Sequence, residues 1–352
     1  MDIKNTKSNY NLLEKVLEKI PISELSKLLY VNKNTIQRWI LLKSVPWQYH
    51  IDLKKLMGVE IDYNQYSFIE KDQFFTPQKI SDYCFNVLRS KLKELSIDED
   101  NYFFLEPSAG DGSFYKILPE NRRIGIDIEP KLDGIDKQDF LSWYPENNNL
   151  ICVGNPPFGL RGNLALRFIN HAAKFCDFVA FILPPLFDSD GKGSCMGRVE
   201  NLNLIHSEKI NTQFYYPNGD KIEINVVFQI WAKNHTVKKE NKIKCDEYVK
   251  IYSLTDGGTP GTTRNKHMLD KCDFYLASSS FEKEKMKTYP TFEDLPNRRG
   301  YGLKILKEYE KTYKIIQEID WTLKSFLATN SSYNLRTSII ESAIIEKGLK
   351  NN

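Results

Sequence analysis

Residues 150–159 read LICVGNPPFG. Four or five apolar or small residues, the composition of a buried strand, run straight into Asn155, Pro156, Pro157 and Phe158. The two prolines fix φ and remove two backbone donors, so the strand must stop there. A backbone so fixed lets the Asn155 side-chain oxygen and a backbone carbonyl point at one spot. Two acceptors at one spot bind both hydrogens of an amine conjugated to an aromatic ring. The nitrogen lone pair is then withdrawn from the ring and turned toward an electrophile. Phe158 offers a flat face on which such a ring can stack. A rigid turn after a core strand would explain the prolines but not the whole set.

Working outward, further apolar runs alternate with amphipathic stretches: YFFLEP, RIGIDIEP, FVAFILPP and INVVFQIWA. Strands alternating with helical patterns predict an α/β fold with a largely parallel, doubly wound sheet. Residues 104–114, FLEPSAGDGSF, end a strand at Glu106 and Pro107 and continue through Ser108, Ala109, Gly110, Asp111 and Gly112. Small residues and glycines at a strand-to-helix turn let a ligand approach the backbone. In RIGIDIEP an acid sits near a strand end, about 20 residues after the glycine loop, where open α/β sheets bind the hydroxyls of a ribose. Asp127 is the candidate, followed by Ile128, because Glu129 lies past the expected strand edge. In KQDFLSW, Asp139 and Phe140 could bracket an adenine; for Phe140 taken alone, core packing is the simpler reading.

Before and after this block the pattern changes. The first 58 residues read as short helices. Leu12, Leu13, Val16, Leu17 and Ile20 have helical spacing, and Pro21 ends that helix. SELSKLLYVNKNTIQRWILL reads as two helices around a tight turn, with Leu25, Leu28 and Leu29 packing on one side and Ile36, Trp39 and Ile40 on the other. Asn32 fits a left-handed turn. A helix-turn-helix of this kind would present Asn34, Thr35, Gln37 and Arg38 to a DNA major groove. Tyr30 occupies the turn position where such motifs usually carry Gly, and a structural or protein-binding helical cap is the alternative. After Lys233 the regularity fades. Residues 256–265, DGGTPGTTRN, read as a flexible loop without the Gly-Lys-Ser/Thr ending of a nucleotide-binding loop. Strand-like CDFYLASSSF and helical LKILKEYEKTYKIIQEI follow. The expected domains are 1–58, 59–235 and 236–352.

Composition bounds the function. The chain has 352 residues and a net charge of only +3, unevenly spread. Residues 1–60 carry a net +4, 61–232 a net −7 and 233–352 a net +6. Basic flanks around an acidic centre suit a polyanionic partner held at the ends while chemistry occurs in the middle. Six scattered cysteines and five isolated histidines suggest reduced thiols and no metal site. No apolar run approaches the roughly 20 residues that span a bilayer, and the first residues lack a secretion signal. A cytoplasmic protein without a membrane partner is therefore expected.

Taken together, these segments resemble the γ class of adenine-N6 DNA methyltransferases of type II restriction-modification systems. The order matches: Phe75, Thr76 and Pro77 in QFFTP, the Glu-Pro glycine loop, the acidic strand end, the Asp-Phe pair, then Asn-Pro-Pro-Phe. FILPP at 181–185 is similar to a later core strand. FYYPNGDKIEINVVFQIW at 214–231 is similar to the aromatic turn and strand that help hold the target base. The likeness spans roughly residues 71–232, and the chain ends match loosely.

The resemblance implies a Rossmann-like domain with a mixed seven-stranded sheet, a helix-turn-helix-like domain before it, and an α+β target-recognition region after it. The implied cofactor is S-adenosylmethionine. Its methionine end would lie by Phe75, Thr76, Pro77, Glu106, Pro107, Ala109, Gly110 and Gly112, with Asn155 close by. Asp127 and Ile128 would meet its ribose, and Asp139 and Phe140 its adenine. Asn155 and Pro156 would hold the target amine, with Pro157 shaping the turn and Phe158 stacking on the base. Phe214, Tyr215 or Tyr216 would cover the other face, Tyr215 having the best spacing. The implied reaction is direct methyl transfer to N6 of an adenine flipped out of double-stranded DNA, with a separate restriction endonuclease as partner. An RNA base, a protein glutamine amide, or a DNA-binding regulator with an inactive domain are the alternatives. A fused nuclease is disfavoured, because the single Asp-x-Glu-x-Lys, at 127–131, belongs to the ribose strand. Recognition sequence and oligomeric state are not encoded in any pattern here.

Overall fold

The computed structural model describes residues 3–146, 149–188, 194–236, 243–257, 263–327 and 332–351. Those up to 236 form one compact unit, those from 243 a second. No helix among the described residues is long and apolar enough to cross a membrane.

Four short helices open the first unit: α1 (Ile3–Leu17), α2 (Ile22–Leu28), α3 (Lys33–Leu42) and α4 (His50–Leu56). They share a small core of Leu13, Val16, Leu25, Leu29, Ile36, Trp39, Val45, Tyr49 and Leu53. Leu28, expected inside, is 41% exposed. Leu25 and Leu29, four residues apart, form the buried stripe without it. The left-handed residue of the turn is Tyr30, at φ 51°, and not Asn32. Asn32 is extended and caps α3, its side chain accepting the Asn34 N–H at 3.0 Å. The strained Tyr30 backbone is held from outside. Its carbonyl accepts from Asn163 Nδ2 at 2.8 Å and Arg198 Nη2 at 2.6 Å, while Asn163 also donates to Leu29 O. On α3, Asn34, Gln37 and Arg38 are exposed and Thr35 is half-buried.

The remainder of this unit is a seven-stranded sheet. Its strands are β1 (Phe103–Glu106), β2 (Arg123–Asp127), β3 (Ile135–Lys137), β4 (Leu150–Gly154), β5 (Cys176–Leu183), β6 (Asn203–Tyr215) and β7 (Lys221–Ala232). Their order is β3-β2-β1-β4-β5-β7-β6. β1 to β5 are mutually parallel, while β7 runs antiparallel to both β5 and β6. This is the mixed Rossmann-like sheet that the resemblance implies. All five residues of β4 are buried, the mark of a central strand covered on both faces. β6, at the edge, buries only Ile205, Ile210 and Phe214, the rest being half-buried or exposed. The chain leaves β1 outward to β2 and β3, then returns to β4 on the other side of β1. In such sheets ligands bind at the carboxyl ends of the strands flanking this reversal.

Helices are sparser than the alternating pattern predicts. α5 (Gln78–Glu94) precedes β1 and buries Ser81, Cys84, Phe85, Leu88 and Leu92 along one face. α6 (Asn163–Ala172) joins β4 to β5. The expected helix after the glycine loop is reduced to two turns of 3-10 helix, Tyr115–Ile117 and Glu120–Arg122. Gly112 at φ 78° and Pro119 leave too short an uninterrupted stretch for an α-helix.

The second unit is α+β. A four-stranded antiparallel sheet is built from β8 (Val249–Thr255), β9 (Phe274–Ala277), β11 (Thr288–Tyr289) and β12 (Arg299–Ile305). Short strands β10 (Ser279–Ser280), β13 (Phe326–Leu327) and β14 (Tyr333–Asn334) form another. Helices α7 (Tyr309–Glu318), α8 (Trp321–Lys324) and α9 (Thr337–Glu346) complete its own core. Of the Gly/Thr loop at 256–265, residues 258–262 lie outside the described residues; its ends are joined by a Thr255–Arg264 bridge.

Candidate active site

The glycine loop leaves β1 and folds back on β2 through the Ala109 N–H, which donates to Ile126 O at 2.9 Å. Gly110 has φ 53°, a conformation that favours glycine, and a Cβ there would press on the Phe75 ring at 3.1 Å. Asp127 locks the loop in place: one carboxylate oxygen accepts the Gly110 N–H at 2.8 Å, the other the Glu129 N–H at 2.7 Å. Burial pushes the Asp127 carboxyl up, and these two N–H groups pull it back. Each oxygen keeps a lone pair that a hydroxyl could still use. Ile128 is half-buried beside it, and Glu129 pairs with Lys71 at 2.6 Å.

Glu106, at the end of β1, is 2% exposed, and its Oε2 has no hydrogen-bond partner among the described residues. Burial raises its carboxyl well above the usual carboxylate range, helped by Asp111 and Asp127; the Tyr115 N–H opposes this. Pro107 and Glu106 both close on Gly154 of β4, where a Cβ would sit 3.4 Å from Glu106 Cγ. An enclosed carboxyl with an unused oxygen, beside glycine backbone, fits the ammonium of an amino-acid ligand.

Asn155 follows directly on β4. Its Nδ2 donates to Thr76 Oγ1 at 3.1 Å, which leaves Oδ1 as an uncommitted acceptor. That buried oxygen also lacks a partner among the described residues. Thr76 and Pro156 are buried, Pro77 and Pro157 half-buried. The Phe158 carbonyl caps α6, accepting from Leu164 N at 3.1 Å and Ala165 N at 3.2 Å. The Gly159 N–H donates to Asp72 Oδ2 at 2.7 Å. Asp72 itself is left-handed, at φ 54°.

The aromatic residues are arranged differently from the expectation. Phe214 is fully buried. Between it and Phe158 stands Phe74, edge-on to both, with centroids 5.5 and 5.1 Å away. Tyr215 turns to the glycine loop: its hydroxyl donates to Asp111 Oδ2 at 2.5 Å, and its backbone pairs with Phe75. Burial and Asp111 together push its phenol up. Tyr216 packs on Phe68 at 4.9 Å.

Phe140 is 1% exposed and sits among Phe168, His171, Phe175 and Trp143. It has no open face for an adenine, so core packing describes it. Asp139 caps the turn that follows, accepting the Leu141 N–H at 3.0 Å, and pairs with Lys55 of α4 at 2.5 Å.

The structure thus gathers Thr76, Glu106, Pro107, Ala109, Gly110, Gly112, Asp127 and Asn155 around the ends of β1, β2 and β4. It adds Lys55, Lys71, Asp72, Phe74 and Asp111, which sequence reasoning did not single out. For Asp72 and Phe74 a signal existed, since they precede Thr76 at intervals of two.

No family model and no curated protein matches the chain. Among solved structures, a protein assigned as an RNA methyltransferase from Pyrococcus horikoshii is 15% identical, with a TM-score of 0.35, covering 46% of this chain and 86% of its own. The magnesium protoporphyrin IX methyltransferase of Synechocystis PCC 6803 with bound cofactor is 15% identical, with a TM-score of 0.30, covering 48% and 85%. An S-adenosylmethionine-dependent methyltransferase from Anabaena variabilis is 10% identical, with a TM-score of 0.28, covering 42% and 84%. Likeness at this distance assigns no substrate.

Proposed function

We propose that the protein is an S-adenosylmethionine-dependent methyltransferase acting on N6 of adenine in double-stranded DNA, serving as the modification half of a restriction-modification system. One observation carries the reading: Asn155 stands at the reversal of the sheet with its amide nitrogen engaged by Thr76 and its buried oxygen unpaired. An orphaned buried acceptor is costly by about 1–3 kcal/mol, and a ligand donor would remove that cost.

Asn155 Oδ1 and the Pro156 carbonyl accept the two hydrogens of the target amine and hold its lone pair out of the ring plane. Phe158 stacks on the base. Glu106 and the glycine loop grip the ammonium end of the cofactor, and Asp127 meets its ribose. The cofactor supplies a methyl group on an electrophilic sulfonium. With so reactive a donor the protein needs to supply position and a dry surrounding, and no side-chain base. The nitrogen loses its proton to solvent after it has gained the methyl group. Inside a duplex N6 is stacked, so the base must flip at a cost of a few kcal/mol. The basic segments at either end would grip phosphate, making affinity strongly salt-dependent.

The test is to incubate unmethylated plasmid DNA with protein and S-adenosylmethionine, digest to nucleosides and quantify N6-methyladenine by mass spectrometry, with Asn155→Ala in parallel. Product from the wild type alone supports the reading. Cofactor binding without any methylated DNA base rejects it and moves RNA and protein amides forward.

A further inference from the structure

Between α4 and α5 the chain passes through Asp72 in a left-handed turn and then runs on without helix to Thr76. Three side chains at intervals of two reach the same tetrad. Asp72 Oδ2 accepts the Gly159 N–H at 2.7 Å. The Phe74 ring packs edge-on against Phe158 at 5.1 Å. Thr76 Oγ1 accepts from Asn155 Nδ2 at 3.1 Å. The intervening Phe75 faces the other way, against Gly110 and Tyr215. The tetrad is therefore braced at both ends by one segment, with Thr76 orienting the amide and Asp72 orienting the turn that carries the ring.

Asp72 is the unusual member. A left-handed backbone is one that glycine adopts without strain and a residue with a Cβ adopts at a cost. The residue is half-buried, and burial raises its pKa, so it sits in an environment unfavourable to its charge. What offsets both is the Gly159 N–H at the tetrad turn.

From this we infer that Asp72 is a positioning residue of the target-amine clamp. Its carboxylate holds the Gly159 amide, next to Phe158, so that the Phe158 ring and the Asn155 oxygen address one base together. The inference rests on the methyltransferase reading given above, and its geometry can be tested apart from that reading.

Asp72→Gly removes the carboxylate while relaxing the backbone, so the fold should not suffer. Asp72→Asn keeps one acceptor oxygen in the same place. Four quantities are compared with the wild type: thermal midpoint, S-adenosylhomocysteine affinity by calorimetry, amide hydrogen exchange of peptides covering 155–165, and the single-turnover rate of methyl transfer to plasmid DNA. Asp72→Gly should keep its midpoint and its ligand affinity, exchange faster at Gly159, and transfer methyl about 100-fold more slowly, the scale of a small misplacement at a reacting centre. Asp72→Asn should recover most of the rate and the protection. Unchanged exchange in Asp72→Gly, or an unchanged rate, overturns the inference. So does a joint loss of midpoint and rate that Asp72→Asn does not rescue, since Asp72 would then be structural. If the wild type methylates no DNA, the proposed function fails by itself, and the exchange comparison alone decides whether Asp72 holds the turn.

Discussion

At the ends of β1 and β4, two buried polar atoms, Glu106 Oε2 and Asn155 Oδ1, find no partner among the described residues. At the ends of β2 and β3 the acids are engaged: Asp127 by two backbone N–H groups, Glu129 by Lys71, Asp139 by Lys55 and the Leu141 N–H. The two pairs of strand ends are thus prepared in opposite ways. One carries a desolvation cost that a ligand with ammonium and amine donors would remove. The other is already satisfied, so a ligand there must add to existing bonds or compete with lysines. Chemistry is expected to depend on the first half and ligand selectivity to be tuned by the second.

The strongest way to break this contrast is Asn155→Ala. By analogy with the loss of one preorganised polar group in other active sites, methyl transfer should fall about 100- to 1,000-fold with cofactor affinity nearly unchanged. Single-turnover rates and calorimetry measure the two separately, and equal losses in both would contradict the division of labour.

Glu106 gives a pH test. Its folded pKa is raised above the unfolded value of about 4.3, so its contribution to stability is complete below that value and is lost as pH rises through the folded pKa. The free protein should therefore lose this contribution on going from acid toward neutral pH. A cationic ligand favours the ionised form, so cofactor binding should release protons at pH values below the folded pKa of Glu106. Calorimetry in buffers of different ionisation enthalpy reads this release, and Glu106→Gln should abolish it. Binding heats independent of buffer would remove Glu106 from the ligand site.

Phe140→Leu sharpens the satisfied half. This large-to-small core exchange leaves a small cavity and should cost about 1–3 kcal/mol of stability in a denaturant titration while leaving ligand affinity unchanged. A large loss of affinity in the folded variant would restore Phe140 to the adenine site. Smallest of all, Lys55→Met should tighten S-adenosylhomocysteine binding by up to about fivefold, since a partly exposed ion pair is worth at most roughly 1 kcal/mol. Weaker binding would mean that Lys55 assists the ligand and does not compete with it.

Much of the sheet was legible because β1, β2, β4, β5 and β7 contain apolar runs long enough to announce buried strands. β3 has three residues and one buried position, and β6 alternates polar residues along an exposed edge, so neither could be told from loop. The tetrad and glycine loop were legible because prolines and glycines act locally on their own backbone. Partners were not. Lys55–Asp139 and Asp72–Gly159 join residues 84 and 87 positions apart, and no local pattern reports such a distance. The turn at Tyr30 shows the same limit. Asn32 was the better left-handed residue by local preference, yet contacts from Asn163 and Arg198 hold Tyr30 there instead.

Those contacts bear on modularity. Asn163 is the first residue of α6, four positions after the turn that follows Phe158, and its amide grips the Leu29 and Tyr30 carbonyls. Arg167, one turn further along the same helix, pairs with Asp52. A protein engineer who cut the chain at residue 58 would strip α6 of its buttress and leave a buried amide without acceptors. The first 58 residues are less a detachable appendage than part of the mounting on which the tetrad sits. Redesign of this segment should therefore begin with the exposed surface of α3 and leave the turn beneath it untouched.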